Sequence, residues 1–268
     1  MSRISMKAWM MLAPSKKLGP PCCLTYIFVF MSLPLFYEPD LMLHLATLPL
    51  SDDSARHSIQ VLRMREGDAI EITNGKGLSC LATLSISGKK QAIAHCTSFQ
   101  QHSRPAAQLT LCLSLLKNPQ RLEWLLEKAT EIGMAGFQPS LCKRTETSRF
   151  RRDRLENILV AAMLQSRQYF LPALHEPIEF EKLMEQPAVA EQWIAHCMDS
   201  AKKPLGDFYA TGEARILIGP EGDFTEEEIQ SAVEKKYLPV SLGDTRLRTE
   251  TAGLVAVTLL LKKFTTPT

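Results

Sequence analysis

The sequence predicts an α/β protein in which a small β-rich domain precedes a larger domain built on a parallel sheet. Short strands closed by glycine turns occupy the first part of the chain, up to about residue 101. From residue 108 onward strands and helices alternate, an order typical of parallel sheets. The composition, with 45% hydrophobic and 22% charged residues, is that of an ordinary globular protein.

Residues 1–33 form an extension that precedes the first predicted strand. Basic residues are followed by an uncharged segment, 18–37, which is the order found in signal peptides and membrane anchors. Prolines leave only residues 22–33 as an unbroken apolar run, whereas a span of the bilayer requires ~20 residues. We therefore expect the extension to be disordered, or not native if Met31 is the true start of the protein.

Net charge and cysteine content limit the possible classes of protein. The formal net charge is only +2, so the total charge does not by itself indicate a nucleic-acid-binding protein. The seven cysteines include no C-x-x-C pair and no cluster at zinc spacing. We therefore expect reduced thiols, no metal site and a cytoplasmic location.

Residues 34–103 are predicted to form a small β-barrel. A short helix is expected over 51–64, and strands over 68–73, 78–87 and 91–98 are separated by glycine turns. Arg56 and Arg63 are candidates for contacts with RNA phosphates, although each could equally belong to a solvated face. A polar linker follows, and it places the domain boundary after residue 103.

The second domain, residues 104–268, is predicted to begin with a buried strand over 108–115 and an amphipathic helix. Asn118 is the expected N-cap of this helix and Gly133 its end. Arg121 is left for solvent or substrate. Apolar residues at helical spacing predict the core face: Leu122, Leu125, Leu126, Ala129 and Ile132.

A basic segment follows this helix. Residues 143–154 contain six basic residues against two acidic ones. Such a segment is usually the solvated start of a helix, but clustered basic residues also favour contact with nucleic-acid phosphates. The candidates for RNA contact here are Arg144, Arg151 and Arg152.

Two loops near the C-terminus carry most of the functional information. One follows an apolar strand at Gly219-Pro220, and Thr225 with Glu228 then forms a capping box for the next helix. The other follows a second strand at Leu242-Gly243. Loops at the carboxyl ends of parallel strands form a crevice where α/β sheets bind ligands. Neither loop is a P-loop or a G-x-G-x-x-G fingerprint. The alternative is that both are ordinary turns.

The last predicted helix, over 252–261, is apolar nearly all round. A helix without a polar face must be buried. Either it lies in the core of one chain, or it forms part of an interface between two chains.

Three stretches together resemble the RsmE family of SPOUT-class methyltransferases. They are Ile218-Gly219-Pro220-Glu221-Gly222, Leu242-Gly243 with Arg246-Leu247-Arg248-Thr249-Glu250-Thr251-Ala252, and the helix from Arg121 to Glu131. The resemblance implies a PUA-like RNA-binding β-barrel followed by a SPOUT α/β domain with a trefoil knot. It also implies a homodimer that uses S-adenosyl-L-methionine to methylate N3 of a uridine in the 16S rRNA of the 30S subunit.

The resemblance also implies roles for individual residues. Arg167, Arg248 and Glu250 are the catalytic candidates. The RNA-binding candidates are Arg56, Arg63, Arg121, Arg144, Arg151 and Arg152. Backbone contacts to the cofactor are expected from Gly219, Pro220, Glu221, Gly222, Leu242, Gly243, Leu247, Arg248, Thr249 and Ala252.

Two departures from the family pattern keep a second function open. Leu164 stands where the family has an acidic residue, and Asp223 stands where it commonly has glycine. A non-catalytic RNA-binding ribosome assembly factor on the same fold is therefore the alternative, although it would have no use for a cofactor crevice. A related enzyme acting on transfer RNA is a weaker third possibility, because the PUA-like barrel argues against it.

Overall fold

The computed structural model describes residues 33–88 and 91–261. The predicted extension, with Met31, lies outside the described residues except for Leu33. No helix in the described ranges is long and apolar enough to cross a membrane.

The first domain is a five-stranded sheet with one short helix. Its strands run in the order β1-β3-β4-β5-β2, with β1 parallel to β3 and the other pairs antiparallel. The predicted strands are all present, whereas the predicted helix is only α1 and a following π-helical turn, His57–Val61. The elements are β1 (Leu35–Tyr37), β2 (Thr47–Pro49), α1 (Asp52–Arg56), β3 (Ala69–Thr73), β4 (Leu78–Ser87) and β5 (Gln91–Gln101).

The sheet curls around a single core. Phe36 on one edge strand and Leu48 on the other are buried in the same cluster as Ile70 and Ile72 of β3. A bulge between β4 and β5, where the register shifts after Leu81, bends the sheet. Within the described residues β1 and β2 do not pair, so the predicted barrel is a curled sheet with two free edges.

The second domain is a parallel sheet flanked by helices, as the alternating pattern predicts. Its strands run in the order β11-β13-β10-β12-β6-β7-β8, and β9 pairs with β7 beside β8. All pairs are parallel. The elements are β6 (Gln108–Ser114), α2 (Pro119–Ile132), β7 (Gly136–Leu141), α3 (Arg152–Gln165), β8 (Ala173–Leu174), β9 (Ile178–Glu179), α4 (Phe180–Glu185), β10 (Glu191–Ala195), β11 (Lys203–Pro204), β12 (Glu213–Ile218), α5 (Glu226–Glu234), β13 (Leu238–Ser241) and α6 (Thr249–Leu261).

Helix α2 has the predicted ends and most of the predicted core face. The Asn118 side chain accepts a hydrogen bond from the Gln120 N–H, and Gly133 ends the helix with a left-handed φ of 107°. The prediction for Ile132 is wrong, because this side chain is 38% exposed. At about 100° per residue, Ile132 lies about 90° from the centre of the buried face, and Thr130 is buried instead.

Helix α6 is buried on one face and half-buried on the other. Gly253 lies against the sheet, where a β-carbon would come within 2.8 Å of a Leu113 methyl group. The opposite face, which includes Leu254, Val255 and Leu259, is only half-buried in one chain. Within a single chain, the burial predicted for this apolar helix is therefore confirmed for one of its faces.

The segment after α3 joins the two domains. Glu71 of β3 accepts hydrogen bonds from the Arg167 guanidinium at 2.8 Å and the Tyr169 hydroxyl at 2.7 Å. Tyr169 also stacks on His102, with ring centroids 3.6 Å apart. Gly77 takes a φ of 92° and lies so close to Phe170 that a β-carbon would clash with the ring. These contacts fix the first domain against the second.

Candidate active site

Three loops at the carboxyl ends of neighbouring strands enclose the principal pocket. They follow β13, β10 and β12, which lie side by side in the sheet. The pocket has a volume of about 680 Å³, which is within the range of small-molecule sites. Its position matches the crevice that the sequence predicts.

The loop after β12 turns tightly because of Gly219. A β-carbon here would lie 3.1 Å from both the ring and the backbone nitrogen of Phe224, which is buried. The Asp223 N–H donates to the Pro220 carbonyl at 2.9 Å and closes the turn. A side chain at position 219 would therefore require Phe224 to move by a few tenths of an ångström.

Asp223 joins two loops of the pocket. Its φ is 63°, a left-handed conformation that Asp tolerates better than most residues. The carboxylate accepts from the Cys197 N–H of the loop after β10 at 2.7 Å, and from the Phe224 N–H at 2.8 Å. Asp223 therefore links the loop after β12 to the loop after β10.

The capping box of α5 extends this network. Both of its reciprocal hydrogen bonds between Thr225 and Glu228 are present, as predicted. Glu228 is buried and also accepts from the Lys143 N–H at 2.8 Å. Arg144 donates to the carbonyl oxygens of Gly222 and Phe224. The basic segment is therefore held against the loop after β12.

The loop after β13 presents free polar groups to the pocket. Gly243 has a φ of 121°, which side chains rarely adopt. Within the described residues, 244–247 take part in no hydrogen bond or ion pair, and the side chains of Arg246 and Arg248 have no partner. Backbone N–H groups and two guanidinium groups are thus available for a ligand.

Glu250 lies in the first turn of α6 and is only 7% exposed. Its carboxylate lies 3.5 Å from Arg121 Nε, and both residues line the pocket. The helix N-terminus also favours a negative charge at this position. Glu250 therefore holds Arg121 at the pocket wall.

The loop after β10 contributes residues that the sequence analysis missed. His196, Cys197 and Lys202 line the pocket. β10 ends at Ala195, so His196 belongs to the loop that follows it. Their position after the carboxyl end of a buried strand is the feature that could have identified them as lining residues. Burial and the nearby Lys202 lower the pKa of His196, whereas Asp223 raises it.

The structure brings most of the predicted cofactor residues together. Nine of the ten line the pocket, as do the catalytic candidates Arg248 and Glu250. Gly222 does not, because the Arg144 side chain packs against it. Arg167 also lies outside the pocket, where it donates to Glu71 and to the Leu33 carbonyl.

The six RNA candidates differ in their availability. Arg121 lines the pocket, and Arg144 is held by the carbonyl groups of the loop after β12. Arg56 pairs with Asp53, and Arg152 pairs with Glu156 and Glu176. Within the described residues, the guanidinium groups of Arg63 and Arg151 form no ion pair or hydrogen bond.

The lining residues suit a small cofactor with both polar and charged groups. Free N–H groups and guanidinium groups suit hydroxyl, purine and carboxylate groups, and the glycines allow a close approach of the backbone. Among residues 33–88 and 91–261, no group of three His, Cys, Asp or Glu side chains could hold a metal ion.

Comparisons with known proteins identify both domains. Residues 102–261 match the RNA methyltransferase domain, and residues 50–95 match the RNA methyltransferase PUA domain. The ribosomal RNA small subunit methyltransferase E of Synechocystis sp. is 31% identical over 219 residues, which cover 79% of this chain and 72% of that protein.

Two solved structures agree with these matches. A probable rRNA-methyltransferase from Porphyromonas gingivalis has a TM-score of 0.78 and 35% identity, and the match covers 84% of this chain and 96% of that one. The ribosomal RNA small subunit methyltransferase E of Neisseria gonorrhoeae, bound to S-adenosyl methionine, has a TM-score of 0.76 and 29% identity over 85% of this chain and 96% of that one. The predicted family is confirmed: this chain belongs to the ribosomal RNA small subunit methyltransferase E family.

Proposed function

We propose that this protein transfers a methyl group from S-adenosyl-L-methionine to N3 of one uridine in the 16S rRNA of the 30S subunit. The observation that carries the proposal is the pocket enclosed by the loops after β10, β12 and β13, with its free backbone N–H groups. The cofactor found in the Neisseria gonorrhoeae relative supports the choice of ligand. The names of the relatives support rRNA as the substrate.

The cofactor would be held by nine predicted residues that line the pocket. They are Gly219, Pro220, Glu221, Leu242, Gly243, Leu247, Arg248, Thr249 and Ala252. When bound, S-adenosylmethionine supplies a methyl group already activated by its sulfonium. Gly222 contributes through the Arg144 contact that shapes the loop.

We also propose that the second domain is a SPOUT domain with a trefoil knot. The support is the way the chain between β10 and β12 meets the final helix. The Ala210 N–H donates to the Leu260 carbonyl at 2.8 Å, and α6 packs against the helical turn Leu205–Asp207. A knotted C-terminus would bring the last helix into contact with an earlier segment in this way.

The chemistry of uracil sets the task of the site. N3 carries a proton and is a poor nucleophile until that proton leaves. In the reaction the N3–H bond breaks, the N3–CH₃ bond forms, and the C–S bond breaks to give S-adenosylhomocysteine and a released proton. The protein must therefore align N3 with the methyl group and stabilise the uracil anion.

Arg248 and Glu250 have the properties that this task requires. The Arg248 guanidinium lines the pocket and is unpaired within the described residues, so it can stabilise the anion or its phosphate. Glu250 orients Arg121 at the wall. The uridine must be unpaired or extruded, because its Watson–Crick edge is the reacting edge.

We assign Arg167 a positioning role, in place of the catalytic role predicted from the sequence. Its guanidinium is engaged with Glu71 and the Leu33 carbonyl, and it does not line the pocket. It therefore fixes the PUA domain, residues 34–103, against the methyltransferase domain, residues 104–268. Relative placement of these domains determines which RNA segment reaches the pocket.

RNA contact outside the pocket is proposed for the basic residues without partners. Within the described residues, the guanidinium groups of Arg63 in the first domain and of Arg149 have no partner. Arg151 at the start of α3 forms no hydrogen bond or ion pair, and its charge acts on Glu123. Arg56, Arg144 and Arg152 would first have to exchange their present partners, which reduces the gain from binding phosphate.

We propose that the protein is a cytoplasmic homodimer whose interface includes α6. The support is the apolar face of Leu254, Val255 and Leu259, which one chain leaves half-covered. Sedimentation should give twice the 30.0 kDa chain mass, and a monomer at micromolar concentration would contradict the dimer.

The direct experiment uses 30S subunits from cells that lack the modification. With labelled S-adenosylmethionine, purified protein should transfer one methyl group per subunit. Pre-methylated subunits are the control and should accept none. Binding of the subunit without binding of the cofactor would favour the assembly-factor alternative.

A further inference from the structure

His196 is a buried histidine whose ring has no hydrogen-bond partner. It lies directly after β10 and is 8% exposed. Neither Nδ1 nor Nε2 has a hydrogen-bond partner. Among the described residues, Thr130 Oγ1 is the other buried side-chain atom without one. A buried polar group without a partner destabilises the fold. Because His196 lines the pocket, a bound molecule can supply the missing partner.

The backbone around His196 is held at several points. The Lys202 ammonium donates to the carbonyl oxygens of His196 at 2.9 Å and Met198 at 2.6 Å. The Cys197 N–H donates to Asp223 at 2.7 Å. The fold thus fixes the loop while leaving the imidazole unpaired, which is the arrangement of a preorganised binding residue.

The charges around the ring favour its neutral form. Burial and then the Lys202 ammonium lower the pKa of His196, while the Asp223 carboxylate opposes them. The other charged residues that line the pocket are Arg121, Glu221, Asp244, Arg246, Arg248 and Glu250. At neutral pH the imidazole therefore offers one N–H donor and one nitrogen acceptor.

We propose that His196, as a neutral imidazole, hydrogen-bonds to an uncharged polar group of the adenosyl part of the methyl donor, either a ribose hydroxyl or the purine edge. His196 directly follows β10, the middle one of the three neighbouring strands whose loops line the pocket. A sulfonium cannot accept a hydrogen bond, and a carboxylate has a better partner in the unpaired Arg246. This assignment rests on the proposed cofactor.

The test is the affinity of the intact protein for S-adenosylmethionine, measured by calorimetry from about pH 5.5 to pH 8. At pH 8, H196L should weaken binding about tenfold, because it removes a hydrogen bond and leaves a ligand group unpaired. In the unsubstituted protein, affinity should fall as pH drops through the pKa of His196, because protonation removes the acceptor nitrogen of the imidazole. In H196L this pH dependence should be lost.

Two further variants separate binding from folding. H175L removes a histidine outside the pocket and should keep both the affinity and its pH dependence. If H196L does not fold, H196N, which keeps a polar side chain, takes its place and should bind more weakly than the unsubstituted protein with no pH dependence. A folded H196L or H196N with unchanged affinity and pH dependence would overturn the assignment. Failure of the unsubstituted protein to bind S-adenosylmethionine would instead refute the proposed function.

Discussion

Replacing Arg167 with alanine should destabilise the protein without weakening its affinity for the cofactor. The substitution removes a hydrogen bond to Glu71 at 2.8 Å and one to the Leu33 carbonyl at 3.1 Å. The Glu71 side chain is 12% exposed and would keep only the Tyr169 hydroxyl as a donor. Both bonds have the charged guanidinium as donor, and a hydrogen bond of this kind contributes about 1.5–3 kcal/mol. Because the Arg167 side chain is 38% exposed, solvent reduces this sum, and we expect a loss of about 2–3 kcal/mol.

The assay is urea unfolding of R167A, with R63A as the control. Arg63 is an exposed arginine of the first domain without a partner in the described residues, so its loss should change the free energy of unfolding by less than about 0.5 kcal/mol. A double-mutant cycle with E71A should give a coupling energy of about 1.5 kcal/mol. Additive effects, or an R167A protein that is fully stable but transfers methyl groups far more slowly, would refute the reasoning and restore the catalytic role of Arg167.

Two further predictions concern the cofactor loop and the basic segment. G219A should weaken cofactor binding by about 1–3 kcal/mol, because its β-carbon would displace the turn. The control is G212A, where the added carbon meets open space and should not change cofactor affinity. Equal effects of the two substitutions would contradict this role of Gly219. R149A/R151A should weaken RNA binding and reduce the slope of log affinity against log salt concentration by about 1 to 2. The control K235A removes an exposed charge elsewhere and should leave both the affinity and the slope unchanged. An unaltered salt dependence in the double variant would exclude this segment as an RNA contact.

Local chemistry made much of the fold predictable from the sequence. Asn118, Gly133 and the Thr225–Glu228 capping box mark helix ends through hydrogen bonds between neighbours in the chain, and the structure has all of them. The two glycine loops follow apolar strands. Because loops at the carboxyl ends of parallel strands form a common crevice, their proximity could be predicted from the sequence.

The remaining features depend on contacts between distant segments. The resemblance implied a catalytic role for Arg167, but its partner Glu71 lies in another domain, which periodicity cannot reveal. His196 lies directly after β10, and the point at which β10 ends is set by its neighbours in the sheet, which local sequence does not reveal. Closure of the first sheet likewise depends on pairing between edge strands that are distant in the sequence, and the two edges stay unpaired within the described residues.

The central claim is that the pocket directs a methyl group to N3 of one uridine. The most direct measurement is mass spectrometry of nucleosides and mapped fragments from 16S rRNA, after reaction of unmodified 30S subunits with labelled S-adenosylmethionine. We predict label in N3-methyluridine at a single position, and its loss in an R248A variant that still binds the cofactor. Label on a carbon atom, on a ribose oxygen, or on another base would contradict the account.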